Sequence, residues 1–194
     1  MEAPVQSTHW TIDGEDVITS VGADWDAFAG TNGGASLSGS QVVGRSLFDF
    51  ISGDDTQQIY RLLLQRVRAL DAPIIVPFRC DSPNTRRYMR LEIRPTRERG
   101  VEFHSVWLRV DARRHLRLVE SSEPRSRTQL VSCSFCLHVQ IREEQWLEAE
   151  DAIVRLGLLD SEKPPQLVPG VCPACNASLR GRLNELDESS ATSS

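Results

Sequence analysis

The chain has 194 residues, a formal net charge of −5, 40% hydrophobic and 25% charged residues. This composition can furnish the core of one large or two small domains, and its acidic balance disfavours general nucleic-acid binding. No run approaches the roughly 18 apolar residues that span a bilayer, and the opening stretch lacks the basic and apolar regions of a secretory signal, so a cytoplasmic chain with reduced cysteines is expected.

Between Trp10 and Gly22 two apolar runs flank Asp13-Gly14, a hairpin signal. A stretch of about 30 Gly- and Ser-rich residues follows, where Trp25 with Phe28 and Phe48 with Ile51 at one-turn spacing predict short helices joined by turns. Asp54 or Asp55 is expected to cap a long helix, with Ile59, Leu62, Leu63, Val67 and Leu70 on one stripe. Ile74, Val76, Phe78 and Cys80 then alternate along a strand, Asp81 to Asn84 reads as a turn, and Met89, Leu91 and Ile93 alternate in a second strand. Val101 to Val110 reads as a third. Short connections imply antiparallel pairing, so residues 9–110 are expected to form an α+β domain, a sheet with helices on one face.

Residues 111–130 are dense in charge, with Arg113, Arg114 and Arg117 locally basic. They read as a solvated connector helix followed by a loop, with a basic contact patch for a partner as the competing reading. In residues 131–186, Trp146, Ala149, Ile153 and Leu156 recur at helical spacing and predict an amphipathic helix. The proline-rich stretch from Lys163 to Pro169 cannot be helical and returns the chain. Residues 187–194 read as a disordered tail.

Four of the five cysteines form two Cys-x-x-Cys pairs, Cys133 with Cys136 and Cys172 with Cys175. A turn at each pair aims two sulfurs at one point, and two such turns together give the four-sulfur tetrahedron that suits zinc. A unit of about 55 residues has little core, so bound metal would supply folding energy, which favours a closed structural site. His138, two residues past Cys136, is an alternative ligand. The competing account is redox chemistry, which normally places a Cys-x-x-Cys at a helix start after a strand. Cys133 is preceded by a polar linker, which weighs against that account. Both hold if oxidation expels the metal.

This segment resembles a short cysteine module that follows sensor domains in bacterial signalling proteins. Cys133, Ser134, Cys136, Arg142, Trp146, Gly170, Cys172, Pro173, Cys175 and Leu179 carry the resemblance. "LVPG" stands where that pattern usually has Ser-His-Gly, and the spacer before it is longer. The resemblance implies zinc binding in a small zinc-knuckle-type helical module.

The element order from Trp10 to Val110, with "VITSVGADWDAFAGTNGG" and "VVGRSLFDFISGDD", resembles a PAS domain. That implies a five-stranded antiparallel sheet whose helices enclose a small pocket for a flavin, a haem, a metabolite or nothing. No specific flavin or haem motif occurs. The pocket candidates are Trp25, Phe28 and Asn32, which could stack on and orient a flat ligand, and His104, a candidate axial ligand if its strand face lines the pocket. Cys80 reads as a small core residue. For Trp25, Phe28 and His104 the competing reading is also structural.

No catalytic triad, kinase or cyclase motif is present, so the expectation is a non-enzymatic sensor or adaptor in bacterial signal transduction. It would relay from the PAS-like domain through the zinc-stabilised module to a signalling protein partner, with homodimerisation open. A thiol–zinc redox switch or a transcriptional regulator is the alternative. Positive residues of the cysteine module are outnumbered by acidic ones, against the basic footprint of a nucleic-acid binder.

Overall fold

Strand β1 (Ser7–Ile12) turns at Asp13 and returns as β2 (Ile18–Val21), pairing Trp10 with Val21 and Ile12 with Ile18. The Asp13 carboxylate accepts from the Glu15 and Val17 amides at 2.9 and 3.0 Å, which holds the turn. The computed structural model describes residues 7–31, 34, 36–120, 122–159 and 161–191. Helix α1 (Trp25–Thr31), helix α2 (Gly39–Val42) and a 3-10 turn at Leu47–Asp49 lead to the long helix α3 (Asp54–Leu70). Gly53, rather than either aspartate, is the N-cap of α3, and its φ of 87° is one that glycine adopts without strain. Asp54 and Asp55 instead occupy the first turn, where their charge complements the helix dipole.

Strands β3 (Ile74–Arg79), β4 (Thr85–Pro95) and β5 (Val101–Ala112) complete a five-stranded antiparallel sheet in the order β2-β1-β5-β4-β3. This is the α+β architecture expected. Ile12, Val76, Ile93, Val101 and Phe103 of the sheet share a core with Ile59, Leu63, Leu64 and Val67 of α3. The period of two on the strands and the stripe on the helix arise from this one packed interface.

The connector is not a solvated helix. After β5, a 3-10 turn at Arg117–Val119 brings Leu116 and Leu118 into a second core with Val139, Ala149, Ala152 and Ile153. The basic patch is largely committed to internal pairs. Arg113 is 5% exposed and binds Asp81 and the Ser82 carbonyl, and Arg117 pairs with Glu123.

The C-terminal unit is built on a sheet, which corrects the expected helical module. Strands β6 (Gln129–Cys133), β7 (Val139–Arg142), β8 (Gln145–Leu147) and β9 (Gln166–Gly170) lie in the order β8-β7-β6-β9, with β6 and β9 parallel. Trp146 sits on β8, and helix α4 covers only Ala149–Arg155. Glu148 has ψ 146°, a break that no continuous helix passes, so the apolar spacing across it joins two different elements. Helix α5 (Pro173–Ala191) continues through residues 187–191, where a disordered tail was expected, and Asp187 pairs with Arg66 of α3 at 3.2 Å. Among the described residues no helix is long and apolar enough to cross a membrane.

Candidate metal centre and its contact with the sheet domain

Two different local structures deliver the four cysteines. Cys133 ends β6 and Cys136 lies in the turn toward β7. The turn is closed by the Cys133 amide on the His138 carbonyl at 2.8 Å and the Leu137 amide on the Cys133 carbonyl at 2.9 Å. Leu137 takes the left-handed φ of 62° that reverses the chain there. Cys172 immediately precedes α5, Pro173 occupies its first position, and Cys175 lies in its first turn. Proline suits that position because its missing N–H would have had no helical partner.

The parallel pairing of β6 with β9 sets Cys133 beside Gly170 and so unites the two pairs. All four sulfurs lie within 4.8 Å of one another, and Cys136 Sγ is 3.6 Å from Cys172 Sγ. A tetrahedron with metal–sulfur bonds of about 2.3 Å has edges of about 3.8 Å, so the cluster fits one ion with little movement. Backbone amides support the sulfurs: Cys172 N–H donates to Cys133 Sγ and Cys175 N–H to Cys172 Sγ, each at 3.4 Å. Hydrogen bonds from Cys136 and Cys175 hold the Cys133 thiol far below its ordinary range. Keeping protons in those bonds pushes Cys136 up to about 12 and Cys175 above its ordinary value. A cation replacing those protons would satisfy all four sulfurs at once, and four soft donors in this shape suit zinc or iron.

His138 is not part of the four-sulfur cluster; its Nε2 lies 3.2 Å from Glu148 Oε1. The polar linker expected before Cys133 gives way to a strand, the setting a redox pair would have. Strand β6 does precede Cys133, and Cys172 does open a helix after β9. What separates this site from a two-thiol redox centre is the second pair converging on the first.

The cluster is packed into the sheet domain. Cys133, Phe135 and Cys172 share one core with Leu63, Val76 and Phe103. Phe135, between the first two cysteines, stacks on Tyr60 of α3 with ring centroids 6.1 Å apart and 18° between planes. Its carbonyl accepts from the Arg79 amide at 2.7 Å, so the cysteine turn covers the open edge of β3. Ser134 and Thr56 hydroxyls meet at 2.8 Å. A Cβ on Gly53 would lie 3.0 Å from Pro169 Cγ, so the entry to the second pair also abuts the start of α3.

A buried ion network reinforces the seam. The Arg79 guanidinium binds both oxygens of Glu148 and both of Asp81, whose side chain is 1% exposed. Burial opposes the Arg79 charge, but the hydrogen bonds to Asp81 and Glu148 prevail and raise its pKa. Arg113 adds a bond to Asp81 at 3.0 Å, and Arg86 pairs with Glu150 at 2.9 Å. Of these residues only Arg113 was singled out from the sequence, as part of a basic contact patch, and here it is committed to internal pairs.

The sheet and its short helices border a partly open apolar cavity of about 310 Å³ lined by Trp10, Trp25, Phe28, Leu37, Phe78 and Met89, with Thr8, Cys80 and Ser105 as polar groups. A neighbouring space of about 190 Å³ shares Trp10, Trp25 and Leu37 and reaches Tyr60. Trp25 and Phe28 therefore stand in the wall. Trp10 stacks on Phe103 at 5.0 Å and meets Trp25 edge-on at 5.7 Å, while Trp25 Nε1 donates to the Leu37 carbonyl at 2.7 Å. Asn32 lies outside the described residues. His104 does not line the cavity. Phe103 and Ser105 face inward, so His104 joins the outward row with Leu108, 60% exposed, and Val110, 43% exposed. Burial pushes the Cys80 thiol up, as suits a core position.

A search of curated proteins finds no match to this chain. Comparison with protein families matches residues 35–112 to the PAS fold. That match supports a sensory or signalling role. The five-stranded antiparallel sheet is consistent with a PAS fold, with β1 and β2, outside the matched residues, paired into the same sheet.

Proposed function

We propose that this chain is a non-enzymatic sensor or adaptor of bacterial signal transduction, in which the PAS domain receives a signal and a zinc-bound cysteine unit presents it to a protein partner. Support for zinc comes from four converging sulfurs with backbone N–H donors on two of them. The input that fits the cavity is a small uncharged molecule, because among the described residues its walls are mainly aromatic and aliphatic, with no charged side chain. The observation that carries the reading is the seam itself: Phe135 lies between two candidate ligands and also against Tyr60 and the β3 edge. A change in either unit is therefore felt by the other through these direct contacts.

The test is capture of interacting proteins from the cells that make this chain, using wild-type protein and Cys172→Ser side by side. A partner retained by the zinc-loaded wild type and lost with the variant supports the reading. A partner retained equally by both, or substrate turnover by the purified chain, overturns it.

A second reading, a thiol–zinc redox switch, is favoured by the 3.6 Å between Cys136 Sγ and Cys172 Sγ. Two metal-bound thiolates, one hydrogen peroxide and two protons from solvent would give one disulfide and two waters, and the ion would lose two ligands.

A further inference from the structure

The cavity and the cysteine cluster share a wall. Tyr60 lines the neighbouring space of about 190 Å³, and its ring also stacks on Phe135. At the end of β3, Phe78 and Cys80, just past the strand, line the cavity while the amide of Arg79, between them, holds the Phe135 carbonyl. One residue of the cysteine turn is thus fixed at two points to groups that shape the cavity.

From this we infer that metal loading at the four cysteines and occupancy of the apolar cavity are coupled, each changing the affinity of the other. Closing four sulfurs around an ion fixes the Cys133–Cys136 turn, and with it the position of Phe135. Phe135 in turn fixes the Tyr60 ring and the β3 edge. A ligand that needs those walls in one position binds more tightly when the ion has already ordered them, and it must favour the ion by the same factor. The inference rests on the proposed cysteine metal site and on the cavity as a ligand site, and it adds a dependence of one on the other.

The probe is N-phenyl-1-naphthylamine, an uncharged fluorescent aromatic molecule, titrated into the full chain with zinc bound and after chelation, with circular dichroism as the check of folding. Its Kd is expected to differ by about fivefold or more between the two states, within the usual range of allosteric coupling. Zinc affinity, measured by chelator competition, is expected to shift by the same factor when the probe is saturating. Phe135→Leu, which keeps an apolar side chain and removes the stack, is expected to bind zinc fully and to lose the coupling. Cobalt(II) in place of zinc supplies a readout that needs no metal-free protein: its d–d bands are expected to change on probe addition in the wild type and to stay fixed in Phe135→Leu. Equal probe affinity in both states, fixed cobalt bands in the wild type, coupling that survives Phe135→Leu, or no probe uptake in either state would each overturn the inference. Failure to bind zinc or cobalt at all overturns the proposed metal site instead, so the two failures are distinguishable.

Discussion

Arg79 and Glu148, 69 positions apart in the chain, meet in a two-bond fork of 2.8 and 2.7 Å. Arg79 belongs to the edge strand of the PAS sheet and Glu148 to the break between β8 and α4. The pair ties the two units together at the point where the Arg79 amide also holds Phe135.

Replacing Arg79 by Leu leaves Asp81 and Glu148 without that partner. Asp81 keeps Arg113, but both carboxylates lose their shared guanidinium. Breaking a buried pair from one side costs about 3–5 kcal/mol. Urea unfolding is expected to show a loss of that order for Arg79→Leu and a smaller one for Arg79→Lys, which keeps the charge without the fork.

The Glu148 interaction predicts a pH dependence. Burial raises its pKa, but hydrogen bonds and charge from Arg79 outweigh burial and hold the carboxyl below its ordinary 4.5. An unfolded chain therefore takes up this proton at a higher pH than the folded chain. The contribution is complete above about 4.5 and is lost as pH falls through the lower folded value. The stability difference between wild type and Glu148→Gln, measured by urea unfolding from neutral to acid pH, is expected to shrink only below that point.

At Gly53 two demands coincide, a φ of 87° and a close approach to Pro169. A side chain there meets both backbone strain and a Cβ contact of 3.0 Å. Gly53→Ala is expected to lose about 1–3 kcal/mol in chemical unfolding.

Metal contributes to stability in proportion to its binding. Zinc at about 1,000 times its Kd adds about 4 kcal/mol to the folded state. At about 2–4 °C per kcal/mol for a chain of this size, chelation is expected to lower Tm by about 8–16 °C. Cys133→Ser and Cys172→Ser are expected to start near the lower value and to respond little to the chelator, as read by thermal unfolding.

Much of the PAS domain was legible because its elements are amphipathic in one simple way. Ile74, Val76 and Phe78 face one core from a strand, and Ile59, Leu63 and Val67 face the same core from a helix. Strand β5 was harder, since it carries Val101 and Phe103 on one face and Val106, Leu108 and Val110 on the other. Alternation alone does not say which row is inside, and His104 was assigned to a row that faces out. The cysteine spacing pointed to the four sulfurs, but the strands between them did not show. Trp146, Ala149 and Ile153 keep helical spacing across a strand, a break and a short helix. Leu116 and Leu118 are two apolar residues in a run of charge, and only the folded chain shows the core they enter. The seam was invisible for a different reason: Thr56 with Ser134 and Arg79 with Glu148 are pairings of distant polar residues, which no local pattern encodes.

Zinc K-edge X-ray absorption on the purified full chain tests the central claim most directly. Four sulfur neighbours at about 2.3 Å, with one zinc per chain, are the result this account predicts. A shell containing nitrogen or oxygen, or a natively purified chain with no zinc edge at all, would contradict it.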